Sequence, residues 1–78
     1  MRDHFISPLA IERLADMNAT DAELEILETQ IALLAKDPRL GYRLPFSNAA
    51  ELRRYDVGRF GLIYQYNESR LEVVTVVR

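Results

Sequence analysis

The spacing of the apolar residues changes once along the chain. Before residue 38 apolar side chains recur every three or four positions, whereas after residue 50 apolar and polar side chains alternate. The first spacing is typical of amphipathic helices and the second of strands with one buried face. The order of the two patterns therefore predicts an α+β fold, and a length of 78 residues leaves room for one domain only, residues 1–78.

Two helices are predicted in the first half of the chain, each with a start signal of its own. Ser7 followed by Pro8 suits an N-cap and a proline at the first helical position. Thr20 and Glu23 have the spacing of a capping box and begin the second helix, which ends at Asp37 because the next residue is proline. The predicted apolar stripe of the second helix consists of Leu24, Leu27, Ile31 and Leu34. Since few residues separate the helices, we expect an antiparallel N-terminal hairpin.

Strands are predicted on both sides of these helices. A short strand around residues 4–6 precedes the first helix, residues 39–49 are typical of a loop, and three strands follow, joined by turns at Gly58-Arg59 and at residues 67–69. Three consecutive strands with short connections form an antiparallel β-meander. The middle strand carries on one face Phe60, Leu62, Tyr64 and Tyr66. Because the helix hairpin is the only cover available for this face, we expect it to pack there.

Composition narrows the kinds of site that the chain can hold. It contains no cysteine and one histidine, so we expect neither a disulfide nor a metal site, and no glycine pattern for a cofactor phosphate occurs. The longest purely apolar stretch has five residues, far short of a membrane span, and no signal peptide is recognisable. We therefore expect a cytoplasmic protein that needs no cofactor and no membrane, with His4 as an exposed or strand-edge side chain.

The two halves of the chain carry opposite net charge. Residues 1–38 hold three basic and eight acidic side chains, a net charge of −5, whereas residues 39–78 hold seven basic and four acidic ones, a net charge of +3. All seven basic residues of the second half are arginines, whose planar guanidinium can bind a phosphate or a carboxylate at two points. The asymmetry indicates an acidic partner for the second half, unless helices and strands merely have differently solvated faces.

Arginine and tyrosine side chains of the predicted meander are the candidates for chemistry. Arg53, Arg54 and Arg59 lie close together in sequence, and Arg78 ends the last strand. On a sheet, arginines between aromatic rings can bind a nucleic-acid backbone and stack bases. RNA cleavage would require arginines that neutralise the developing phosphate charge and a base that activates the hydroxyl. The alternative is an ordinary sheet surface with ion pairs across strands, such as Arg54 with Glu72.

The segment from Leu52 to Tyr64, LRRYDVGRFGLIY, resembles the signature of the RelE/ParE toxins, approximately R-x-R-V-G-x-Y-R-hydrophobic-I-Y. The helix start from Ser7, the helix end at Asp37 and the final V-x-V strand ending in Arg78 are also similar, so the resemblance covers nearly the whole chain. It implies a RelE/ParE-like fold and the toxin half of a bacterial type II toxin–antitoxin pair. The implied partner is a cognate antitoxin, and a homodimer remains open.

Two cellular targets are known in that family. RelE-like members cleave mRNA in the ribosomal A site, whereas ParE-like members inhibit DNA gyrase. By position, Arg54 matches the first family arginine and Arg78 the arginine near the end of the last strand, which makes them the catalytic candidates. The residues expected to contact nucleic acid or a partner are Arg53, Arg59 and Tyr64.

Two positions depart from the RelE-like pattern. Asp56 stands where the second family arginine usually is, and Gly61 stands where RelE-like enzymes place a phosphate-contacting arginine. The basic and aromatic tail of many RelE-like enzymes has no counterpart after Arg78. We therefore expect weak or absent ribosome-dependent mRNA cleavage. Either a gyrase-directed toxin or an attenuated member fits better than an active RelE-like enzyme, and the alternative function is a non-catalytic or attenuated protein-binding scaffold of the same fold.

Overall fold

The order of elements along the chain is that of an α+β domain. A computed structural model describes residues 2–45 and 51–78. Its elements are β1 (Asp3–Ile6), α1 (Pro8–Asp16), α2 (Asp21–Lys36), a 3-10 turn (Pro38–Leu40), β2 (Tyr42–Arg43), β3 (Arg53–Val57), β4 (Phe60–Tyr66) and β5 (Arg70–Val77). The α+β class predicted from the sequence is thus confirmed.

The strands form one five-stranded mixed sheet in the order β1-β5-β4-β3-β2. The predicted antiparallel meander is present as β3, β4 and β5, but the sheet as a whole is mixed and not antiparallel, because β1 pairs with β5 in parallel. The predicted loop at residues 39–49 contains the 3-10 turn and β2, which pairs with β3, while residues 46–49 lie outside the described residues. Strand pairing of this kind joins distant segments, which the local period cannot reveal.

The two helices are arranged differently from the predicted N-terminal hairpin. They follow β1, which lies where the short first strand was predicted, but they do not pair as a hairpin, because they pack on the sheet at different places. Helix α1 packs mainly on β5, whereas α2 lies against β1, β5 and the 3-10 turn. Asn18, in the short connection between them, adopts a left-handed conformation with φ of 53°. The sheet, rather than the partner helix, is therefore the main packing surface of each helix.

Both helix starts are capped as the sequence predicts. The Ser7 hydroxyl accepts a hydrogen bond from the Ala10 amide at 3.1 Å and donates one to the Val74 carbonyl at 2.5 Å, which ties the start of α1 to β5. The Thr20 hydroxyl accepts from the Glu23 amide at 3.1 Å, and the Glu23 carboxylate accepts from the Thr20 amide at 3.0 Å. This reciprocal pair is the predicted capping box, which satisfies two main-chain donors that the helix leaves free.

The core lies between the helices and one face of the sheet. Its buried residues are Ala10, Leu14, Leu27, Ile31, Leu34, Phe60, Leu62, Tyr64, Leu71, Val73 and Val76. The buried members of the predicted α2 stripe and the predicted inner face of β4 thus belong to one core, although the main-chain neighbours of α2 are β1, β5 and the 3-10 turn. Leu24 is the exception, because it is 40% exposed at the margin of the core. Neither helix in the described part of the chain has the length and apolar character needed to cross a membrane.

Candidate functional site on the outer face of the sheet

Alternation along β3 places its two neighbouring arginines on opposite faces of the sheet. The helix face of β3 is marked by Tyr55, whose hydroxyl donates a hydrogen bond to Gln30 of α2 at 3.0 Å. Arg53 shares that face, whereas Arg54 lies on the other. We call this other face, which the helices do not cover, the outer face. By strand register it carries Arg54, Asp56, Gly61, Ile63, Thr75 and Val77.

Arg54 is held against the outer face by two hydrogen bonds. Its Nε donates to Asp56 Oδ1 at 2.7 Å, and its Nη2 donates to the main-chain carbonyl of Arg78 at 3.2 Å. The hydrogen bond to Asp56 raises the pKa of Arg54 further above its ordinary value. The positive charge of Arg54 is therefore matched within the molecule by the carboxylate two residues along the same strand.

Gly61 makes room for this position of Arg54. A Cβ atom added at residue 61 would lie 2.8 Å from three guanidinium atoms of Arg54, so any larger side chain would require the arginine to move. Asp56 pairs with Gly61 in the register of β3 and β4. The two positions that depart from the RelE-like pattern thus act on one side chain, because one binds the Arg54 guanidinium and the other leaves space for it.

The two catalytic candidates meet through the main chain rather than through their side chains. The Arg78 carbonyl accepts from Arg54, and Arg78 is an exposed residue that lines an open pocket with Leu9 and Arg13 of α1. Two arginines aimed at one phosphate would need both guanidinium groups to converge. Of these two candidates, Arg54 is the one whose guanidinium is bound on the outer face.

Arg53 and Tyr64 lie on the helix face, where they hold the segment after α2. Tyr64 is fully buried; its hydroxyl donates to the Pro38 carbonyl at 2.5 Å and accepts from the Gly41 amide at 3.0 Å. Burial raises the pKa of Tyr64. Arg53 donates to the Gly41 carbonyl at 2.8 Å, and its Nε is buried without a hydrogen-bond partner among the described residues. Neither side chain is placed to contact a ligand on the outer face.

Arg59 connects the turn between β3 and β4 to the start of α2. Its Nε and Nη2 donate to the two carboxylate oxygens of Glu23 at 2.8 and 3.0 Å, and its guanidinium stacks over the Phe60 ring at 4.7 Å. The turn itself is the predicted one, with Gly58 at φ of 58° in a conformation that glycine adopts without strain. Arg59 is therefore engaged in an ion pair between distant elements and does not extend the surface that carries Arg54.

Glu23 acquires a low pKa from these contacts. The hydrogen bond from Arg59, followed by the one from the Thr20 amide, lowers the pKa of Glu23 from 4.5 to about 2. A carboxylate whose pKa is lower in the folded than in the unfolded state stabilises the fold above its unfolded pKa. That contribution is lost as the pH falls through the interval between the two values.

The melting temperature is therefore expected to fall as the pH is lowered from about 5 to about 2, and part of this fall should disappear in Glu23→Gln. Circular dichroism melts across this interval measure the effect. Glu25→Gln is the matched control, because it removes one charge from the same helix without touching the contacts of Arg59. If the wild type and both variants lose stability in parallel, the Arg59–Glu23 pair does not contribute in this way.

Sequence reasoning missed a second polar cluster at the far end of β4 and β5. Arg70 stacks over the Phe5 ring of β1 at 4.6 Å, and Gln65 donates to Glu72 at 3.2 Å. Arg70, Gln65 and Glu72 line an open pocket, to which Glu51, Tyr66 and Asn67 also contribute. Alternation along β5 predicts that Arg70 and Glu72 share one face. The contact of Arg70 with Phe5 could not be predicted, because it depends on the parallel pairing of β1 with β5.

The fold and the site together define an α+β domain with a mixed sheet. The helices cover one face of this sheet, and the other face carries an arginine that forms an ion pair. Within residues 2–45 and 51–78, no group of three or more His, Cys, Asp and Glu side chains could hold a metal ion. No model of a protein family matches the chain, and a search of the curated proteins finds no significant relative. What bears on function is therefore the arrangement of residues itself.

Proposed function

We propose that this protein is the toxin component of a bacterial type II toxin–antitoxin system with a RelE/ParE-like fold, neutralised by binding a cognate antitoxin. The observation that carries the proposal is the contact between Arg54 and Arg78. These positions match two family arginines, lie 24 residues apart in sequence and meet on β3 and the end of β5 through a hydrogen bond. The segment that resembles the family signature forms β3, the Gly58-Arg59 turn and β4.

Inhibition by binding, with DNA gyrase as the target, agrees better with this site than cleavage of ribosome-bound mRNA. Cleavage requires positive charge that is free to stabilise the phosphate in the transition state. Here the Arg54 guanidinium is paired with Asp56 at 2.7 Å, and Gly61 supplies no charge. Loss of one such charge-stabilising group typically lowers a catalytic rate by about 10²–10³.

We expect the purified protein to show weak or no cleavage of mRNA on programmed ribosomes. The measurement is primer extension across the A-site codon, at protein concentrations up to a large excess over ribosomes. Strong cleavage that is lost in both Arg54→Ala and Arg78→Ala would contradict this expectation. Arg39→Ala is the matched control, because Arg39 is an exposed arginine on the 3-10 turn and not on a strand of the sheet.

A second candidate function is a non-catalytic or attenuated protein-binding scaffold of the same fold. It is favoured by the hydrogen bonds that Arg53, Arg54 and Arg59 all form within the molecule, because arginines bound in this way stabilise the fold. The two candidates differ in their effect on a living cell. A toxin arrests growth when it is produced without its antitoxin, whereas a scaffold does not.

A further inference from the structure

Strand β1 has an open edge. It lies at one end of the sheet, and within residues 2–45 and 51–78 its one strand partner is β5. On the paired side, the amides of Asp3 and Ser7 donate to the carbonyls of Ser69 and Val73, both at 3.0 Å. Because main-chain groups alternate in direction along a strand, the amides and carbonyls of residues 4 and 6 point the other way. The outer edge therefore offers two donors and two acceptors for another strand.

An open groove lies beside this edge, where His4 of β1 meets the outward side of α2. It is lined by His4 on the strand and by Glu25, Glu28, Ala32, Leu33 and Lys36 on the helix. We call it the edge groove. The end of α2 lies beside the start of β1, since Arg2 Nη1 donates to the Ala35 carbonyl at 3.5 Å. Ile6, by contrast, lies near Leu24 and Leu27 in the first half of α2, so helix and strand run in opposite directions.

The chemistry of the edge groove changes along its length. Beside the end of β1, the exposed carboxylates of Glu25 and Glu28 have no hydrogen-bond or ion-pair partner among the described residues. Beside the start of β1, Leu33 is 43% exposed. A strand added at this edge would direct every second side chain toward α2. Basic side chains would then face the two carboxylates, and an apolar side chain would cover Leu33.

A second copy of the chain fits the edge groove poorly. Antiparallel pairing of two β1 strands about a two-fold axis would place both α2 helices on the same side of a joined sheet. Residues 1–38, which contain β1 and both helices, carry a net charge of −5 in each copy. Like charges facing each other across an interface oppose association. Charge complementarity thus favours a basic occupant over a second copy.

We propose that the edge groove binds an extended, basic segment of another protein, which adds a sixth strand to the sheet at β1. Main-chain hydrogen bonds to residues 4 and 6 supply affinity, and the carboxylates of Glu25 and Glu28 select lysine or arginine. The edge groove lies on the side of α2 and shares no residue with the outer face, so this site is additional to the arginines of the proposed function. Its test does not depend on toxicity.

The first test uses a seven-residue peptide with blocked ends. Its odd positions are lysine, lysine, valine and valine, its three even positions are threonine, and it is made with this sequence and with the reversed sequence. Fluorescence polarisation of a labelled peptide measures binding to the full chain. We expect one direction to bind at least about tenfold more tightly than the same peptide with glutamate in place of lysine. The preference should shrink with added salt and in the Glu25→Gln/Glu28→Gln variant. Equal binding of the lysine and glutamate peptides would overturn the proposal.

The second test isolates the main-chain contact. His4→Pro removes an amide that points away from β5, so the β1–β5 hydrogen bonds remain. We expect about fivefold weaker peptide binding than in His4→Ala, the matched control that keeps this amide. If His4→Pro fails to fold, peptides that are N-methylated at every second amide test the main-chain contact instead. Methylation of the peptide amides that would hydrogen-bond to β1 must weaken binding. Undiminished binding in both cases, or a dimer that His4→Pro dissociates, would overturn the proposal.

Discussion

Leu27→Ala is expected to lower the free energy of unfolding by about 2–5 kcal/mol. Leu27 is 3% exposed and belongs to the cluster between α2 and the sheet, which also contains Leu62, 1% exposed. Truncation removes buried apolar surface and leaves a cavity that the surrounding side chains fill only in part. A domain of this size has a total stability of roughly 5–10 kcal/mol, so the change threatens folding at physiological temperature.

Urea unfolding followed by circular dichroism measures this effect. Leu33→Ala is the matched control, because it makes the same truncation on the same helix at a side chain that is 43% exposed. We expect the control to cost well under about 1 kcal/mol. Similar losses for the two variants would show that the helix face assigned to the core is wrong.

Tyr64→Phe is expected to lower the free energy of unfolding by about 1–3 kcal/mol, although it removes a single oxygen atom. That oxygen binds both the Pro38 carbonyl and the Gly41 amide in a buried position. Without it, a buried main-chain donor and a buried acceptor lose their partner, which is costlier than losing an exposed hydrogen bond.

The same urea experiment measures this loss, and amide hydrogen exchange localises it. Exchange of the Gly41 amide should accelerate in Tyr64→Phe. Tyr66→Phe is the control, because the hydroxyl of Tyr66 has no hydrogen bond within residues 2–45 and 51–78, while its ring contact with Arg2 is kept. An unchanged stability and an unchanged Gly41 amide would contradict the anchoring role of Tyr64.

Those parts of the fold that depend on neighbours in sequence could be predicted. The caps at Ser7 and Thr20 involve residues three apart, and the Gly58-Arg59 turn is set by a conformation that favours glycine. The alternation along β4 correctly identified its buried face, because a period of two leaves only two choices. In each case the physical cause lies within a few residues of its effect.

Pairing between distant segments could not be predicted in the same way. The parallel pairing of β1 with β5 joins Asp3 to Arg70, and no local period reports on it. The predicted ion pair between Arg54 and Glu72 is wrong for a related reason. Strand β4 lies between β3 and β5, so these side chains are not neighbours, and Arg54 pairs with Asp56 on its own strand instead.

The candidate site was predictable in its parts but not in its arrangement. Alternation separates Arg53 from Arg54, as the structure shows. The burial of the Tyr64 hydroxyl against the segment after α2, and the contact of Arg59 with Glu23, depend on how α2 meets the sheet. Of the ion pairs among the described residues, only Arg59–Glu23 joins the acidic half of the chain to the basic half. Within the described residues, the two halves of the chain therefore neutralise little of each other's charge.

The proposal that this protein is a toxin is tested most directly by inducing its synthesis in a bacterial host while growth and the incorporation of labelled thymidine and methionine are followed. We expect growth to stop, with DNA synthesis declining before protein synthesis, and we expect Arg54→Ala to relieve the arrest while Arg39→Ala does not. Normal growth in cells that accumulate the folded protein would contradict the proposal and would leave the protein-binding scaffold as the function of this fold.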